Sequence, residues 1–140
     1  MKKASLLFAP VGLILLSLLI FSFSSNLKEQ DSKLIGVWKG FEVEKQIEGV
    51  EKHWIQQRFE NGTYVIMFTT KQDCQIETFT EKGKWWTEKG KFYELSSNAK
   101  DPEIYIYNVK NEDEVVDFKS VKMSGEKNES YTFSDYKISF

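Results

Sequence analysis

From Leu34 to Phe140 apolar side chains come in short runs, and no stretch repeats them at i, i+3, i+4 and i+7 over the roughly 11 residues a helix needs. β-Branched and aromatic residues cluster between turn signals, which predicts strands throughout. Asn61-Gly62 marks the clearest hairpin, because Asn-Gly accommodates positive φ at both centres of a two-residue turn. Such a turn pairs Phe59 with Tyr64, Arg58 with Val65 and Ile55 with Phe68. Alternate pairs share a face. Ile55, Phe59, Tyr64, Ile66 and Phe68, with Gln57, are then expected toward the core, and His53 extends that row. Trp54, Gln56, Arg58 and Glu60 are expected outside, a face too polar to meet lipid.

A second hairpin is expected at Glu88-Lys89-Gly90-Lys91, between a strand with Trp85 and Trp86 and one with Phe92, Tyr93 and Leu95. Gly83 reads as a bulge inside a strand rather than a fresh turn. Strands over Ile104–Val109, Val115–Val121 and Tyr131–Phe140, with Leu34–Lys45 and one near Ile76–Thr80, bring the set to about eight. Their even spacing predicts an all-β antiparallel meander, closed or nearly closed into a small barrel, because closure removes exposed edges. Tyr105, Tyr107 and Val109 share one face of their strand and Ile104 and Ile106 the other, so both faces call for cover or a partner.

The first residues are of another kind. Lys2 and Lys3 precede an uncharged apolar run, Leu6 to Phe23, in the manner of an export signal. The run exceeds the roughly 7 to 15 residues of a signal core and approaches the minimum of about 17 for a membrane helix. Cleavage before Ser25, with Ser22 and Ser24 as the small residues, and retention as an apolar N-terminal helix both fit. Residues 1–25 are accordingly assigned as signal peptide or membrane anchor, 26–33 as a polar tether and 34–140 as the folded domain. Lys2 and Lys3 favour the cytoplasmic side, so the domain is expected to be exported, periplasmic or extracellular. Contact with the membrane is expected only through residues 6–23.

Charge and special residues narrow the function. The 19 basic residues include the two leader lysines, leaving 17 against 21 acidic ones. That acidic balance, with lysines scattered among glutamates, disfavours nucleic acid as a partner. Cys74 is the sole cysteine, so no internal disulfide forms, and with His53 as the sole histidine no zinc site is expected. A general base at His53 would need a nucleophile and an orienting carboxylate, and no Gly-x-Ser-x-Gly or phosphate-loop element is present. Neither enzymatic activity nor a cofactor is expected.

The opening strand, Leu34-Ile35-Gly36-Val37-Trp38-Lys39-Gly40, carries a Gly36-x-Trp38 element that resembles the lipocalin and calycin signature. Trp54 to Tyr64, and Gly83-Lys84-Trp85 with its following turn, are similar to the small lipocalin-like domains of bacterial exported proteins. The resemblance implies that Gly36 and Trp38 close the barrel and that a basic residue of the last strand packs across the tryptophan. Lys137 takes that place here, where the family usually has arginine; the only arginine, Arg58, lies in an early strand. It further implies binding of a small hydrophobic ligand, with Phe59, Tyr64, Ile66, Phe68, Tyr105 and Tyr107 as the expected lining. The alternative is a cell-envelope structural, accessory or inhibitory protein with a filled barrel, meeting a protein partner through Trp54, Trp86 or Tyr105 on an outer face.

Overall fold

The computed structural model describes residues 28–124 and 130–140, so the apolar leader and the start of the tether lie outside the described residues. After a 3-10 turn, Ser32–Leu34, eight strands follow in order: β1 (Gly36–Val43), β2 (Val50–Arg58), β3 (Thr63–Gln72), β4 (Gln75–Glu88), β5 (Lys91–Ser96), β6 (Glu103–Lys110), β7 (Val115–Lys122) and β8 (Thr132–Ile138). Each pairs antiparallel with the next. β8 returns to β1 through Val37↔Ile138, Trp38↔Lys137 and Lys39↔Tyr136, closing the barrel. The all-β meander expected from the spacing of turns is therefore the fold.

Side chains alternate inward and outward along each strand, as pleating requires. In β1 Trp38, Gly40 and Glu42 point in, and in β3 Tyr64, Ile66 and Phe68. The β2–β3 register differs by one residue from the expected one: Arg58 pairs with Tyr64, Gln56 with Ile66 and Trp54 with Phe68. The turn is the cause. Phe59 N–H donates to Thr63 O at 2.9 Å and Gly62 N–H to Phe59 O at 3.1 Å, so the loop holds three residues, Glu60, Asn61 and Gly62, not two. Gly62 alone takes positive φ (78°), while Asn61 turns its side chain to accept from Thr63 N at 3.0 Å. Such a three-residue loop with a left-handed glycine is the next commonest hairpin after the two-residue one. A slip of one reverses every β2 side chain. Trp54, Gln56 and Arg58 are buried inside, whereas His53 and Ile55 are exposed, and His53 Nε2 lies 2.5 Å from Glu51 Oε1. The exterior stays polar without Arg58 and Gln56, since Lys39, Lys82, Lys84 and Lys119 are exposed outward positions.

Two expected strands merge. β4 runs unbroken from Gln75 to Glu88, and its pairing passes through Gly83 without a shift, opposite Tyr64 on one side and Ser96 on the other. The bulge expected at Gly83 is absent; it is the β6–β7 ladder that shifts register, between Ile104 and Tyr105, where Val121 of β7 is the extra residue.

The packed core fills one end of the barrel. Leu34, Trp38, Trp85, Phe92, Val116 and Phe118 are all buried there. The N-terminal segment lies across this end: Glu29 exchanges backbone hydrogen bonds with Thr87 (3.0 and 2.6 Å), and Tyr107 Oη–H donates to Asp31 at 2.8 Å. Trp86 faces outward but is only 8% exposed, stacked on Tyr93 and covered by Lys28, so it presents no surface anchor.

Candidate functional site: the open end of the barrel

The inward row of β2 builds the site from the closed end toward the mouth. Arg58, 1% exposed, reaches Asp135 of β8, which is fully buried. The other Asp135 oxygen accepts from Trp54 Nε1–H at 2.7 Å. Asp135 is thus met on both oxygens, whereas Arg58 donates through Nη2 alone, to Asp135 and to Gln56. The guanidinium is also enclosed by rings, its Cζ lying 5.6, 5.1 and 5.2 Å from the centroids of Trp38, Phe92 and Phe118. Trp38 donates its indole N–H to Leu34 O at 2.9 Å and carries the Lys137 ammonium 5.6 Å from its ring. The closure group named from sequence thus meets in space. Gly36 adjoins it, the Lys137 stem 3.6 Å from where a Cβ would stand. The sole arginine, expected outside, covers the same tryptophan.

Beyond this plug the interior opens into a cavity of about 520 Å³, within the roughly 300 to 1,000 Å³ of small-molecule sites. Residues of the β1–β2, β3–β4, β5–β6 and β7–β8 ends, including Ile47, Glu77, Ala99 and Ser124, surround its mouth. Trp54, Ile66, Phe68, Phe92, Tyr105 and Phe133 give it an apolar lining. Edge-to-face contacts fix several of these rings, Trp54 to Phe133 at 5.7 Å and Tyr105 to Phe133 at 5.5 Å.

One wall is acidic. Glu81, Glu94 and Glu103 face the cavity from β4, β5 and β6. Gln56 Nε2–H donates to Glu94 at 2.6 Å, Tyr64 Oη–H to Glu81 at 2.6 Å, and Tyr105 Oη–H to Glu103. Burial, reinforced by Glu103 and Glu81 and opposed by Arg58 and Gln56, pushes Glu94 up to about 7. Burial likewise pushes the hydroxyls of Tyr64, Tyr105 and Tyr131 well above the usual tyrosine range.

Four of the six residues expected to line a pocket do so: Tyr64, Ile66, Phe68 and Tyr105. Tyr107 points inward but sits in the packed end, tied to Asp31. Phe59 stands in the β2–β3 turn, where its carbonyl accepts the Trp85 indole N–H at 3.0 Å, and it contributes nothing to the cavity. The lining also holds Gln56, Arg58 and the three glutamates. Alternation from Phe92 places Glu94 inside, and the corrected β2 parity does the same for Gln56 and Arg58. Tyr105, also named as an outer anchor, is 5% exposed and interior, as is Trp54 at 4%. Cys74 lies exposed in the β3–β4 turn, and among the described residues no cluster of His, Cys, Asp and Glu is arranged to hold a metal ion.

No protein-family model matches this chain, and no curated protein is significantly similar to it. A second concavity, of about 560 Å³, lies on the outer face among Phe41, His53, Ile55, Met67 and Tyr136. It is a surface groove, whereas the interior cavity combines a sealed floor, aromatic walls and converging polar groups, the combination that marks a ligand site.

Proposed function

We propose that this is an exported binding protein of the lipocalin-like kind, taking a small, largely hydrophobic ligand into the open end of its barrel. The observation that carries this reading is the continuous cavity of about 520 Å³ walled by aromatic side chains above a packed floor. An eight-stranded barrel has room for one small ligand or for its own side chains, and the void supports the first use. The Gly36-x-Trp38 strand, with Lys137 and Arg58 both 5.6 Å from the indole ring centroid, supports the lipocalin-like assignment.

Titration with the uncharged dye N-phenylnaphthylamine tests the reading. Saturable fluorescence enhancement is expected, weakened about tenfold or more by Ser96→Trp, which places a ring in the cavity mouth. A folded wild-type protein that takes up no dye would contradict it.

A second reading, an envelope accessory protein, draws support from the outer groove, where Phe41, Ile55 and Met67 are 61%, 47% and 43% exposed. These residues, not Trp54, Trp86 or Tyr105, would be its anchors. Crosslinking from position 55 in whole cells to one defined protein would favour it.

A further inference from the structure

The register of β2 changes the character of one side of the barrel wall, bringing Ile55 and His53 out as Arg58 and Gln56 go in. Tyr136, Lys39, Ile55 and Met67 are successive cross-strand partners and form one outward row over β8, β1, β2 and β3. Phe41, stacked on His53 at 5.9 Å, and Val43 extend this row along β1, and Val65 extends it along β3. Phe41, Val43, Ile55, Val65, Met67 and Tyr136 are all exposed. Exposed apolar side chains gathered over four neighbouring strands mark a surface that meets something, unlike those scattered singly.

Charge selects among the surfaces it could meet. On the outward positions of β8, β1, β2, β3 and the stretch of β4 paired with β3, the charged side chains besides His53 are Lys39, Lys71, Lys82 and Lys84 against Glu51 alone. Lys71 is the cross-strand partner of Glu51, whereas Lys39, Lys82 and Lys84 have no ion-pair partner among the described residues. The chain beyond its leader has 17 basic residues against 21 acidic ones, so this face carries the sign opposite to the molecule. A second copy set against it would bring lysine to lysine, a repulsive arrangement. A protein partner would bury Lys39, which stands between Tyr136 and Ile55 in the middle of the apolar row, and lysine is depleted from the cores of protein interfaces. A membrane surface suits the same mixture. Apolar and aromatic side chains settle at the headgroup boundary, while lysine stems lie along them and carry their ammonium groups to the phosphates.

We propose that the outer face of β8, β1, β2 and β3 docks on an anionic lipid bilayer, a contact additional to any made by residues 6–23. The barrel lies on the bilayer and does not span it, because Lys110, Asp117 and Lys119 occupy the outer side of β6 and β7. The docking face runs along the strands, so the mouth opens parallel to the membrane surface rather than into it. The inference is independent of what the cavity holds.

Quenching by nitroxide-labelled lipid tests it on the full chain, in a Cys74→Ser background, with a nitrobenzoxadiazole label placed at Ile55→Cys, at Met67→Cys or, as the far-side control on β7, at Lys119→Cys. Because the three labels share one leader, any insertion of the leader affects them alike, and only the lie of the barrel separates them. In vesicles of phosphatidylglycerol and phosphatidylcholine, quenching at 55 and 67 is expected to exceed that at 119 by about threefold or more. That margin should shrink by at least about half in about 0.5 M salt, in phosphatidylcholine alone, and in the Lys39→Gln/Lys82→Gln/Lys84→Gln variant. Equal quenching at all three positions in the anionic vesicles overturns the inference, as does a margin indifferent to salt and to the three lysines. Positions 55 and 67 escaping the lipid quencher while the protein doubles in mass by light scattering, or while position 55 crosslinks to one defined protein in whole cells, also overturns it and gives the face to a second copy or to a protein.

Discussion

Asp135 receives the Trp54 indole N–H on one oxygen and the Arg58 guanidinium on the other, with no exposed surface of its own. Removing one partner of such a pair strands a buried charge. Asp135→Ala is therefore expected to cost about 3 to 5 kcal/mol in urea unfolding, and pairing it with Arg58→Met should recover more than half. A loss under about 1 kcal/mol would show that the guanidinium is not confined there. Glu94 makes the opposite contribution. Its carboxyl is raised from 4.5 to about 7, so between those values the unfolded chain releases the proton first and the folded state loses stability as pH rises. Glu94→Gln should match wild type below about pH 4.5 and exceed it above about pH 7 by up to about 3 kcal/mol; urea titrations across that window check the crossover. Residue type alone singled out neither Arg58 nor Glu94 as interior. Arg58 and Glu94 are of types that rarely lie inside unless partnered, and Asp135, the partner that admits Arg58, is 77 positions away. Tyr64, Ile66, Phe68 and Tyr105 were legible because their alternation and their chemistry agree.

Among the elements, the β2–β3 hairpin shows how one residue in a loop governs a whole face. Both turn lengths are compatible with Asn61-Gly62, and apolar pattern alone favours the two-residue turn, which would bury Ile55 and Phe59 and expose Arg58. The fold takes the three-residue loop because Trp54, Gln56 and Arg58 inside satisfy Asp135 and Glu94, partners invisible within the hairpin. Gly62 holds that loop. Its φ of 78° is a left-handed value, and a Cβ there would come within 2.7 Å of Gln30 Nε2. Gly62→Ala is expected to destabilise by about 1 to 3 kcal/mol, measured by thermal or urea unfolding; an unchanged midpoint would contradict this account of the turn. The number of strands and their order were legible, because turn residues punctuate the chain at nearly every hairpin. The continuity of β4 was legible in part, since Gly83 reads as lying within a strand, but the bulge it suggests is absent and the pairing passes through it unshifted.

At the scale of the whole molecule, two ends of one barrel do different work. One is packed with Trp38, Trp85, Phe92 and Phe118 and crossed by residues 29–31; the other surrounds a void. Composition alone allowed a filled core as readily as a cavity, because the volume left over depends on where the aromatic rings gather, and here many gather at the closed end. The proposed binding function requires a ligand to enter the interior and not the outer groove. Intermolecular NOEs between bound N-phenylnaphthylamine and methyl- and aromatic-labelled protein test this directly. Contacts to Ile66, Tyr105 and Phe133, with none to Phe41, Ile55 or Met67, are predicted; contacts confined to the latter three would contradict it.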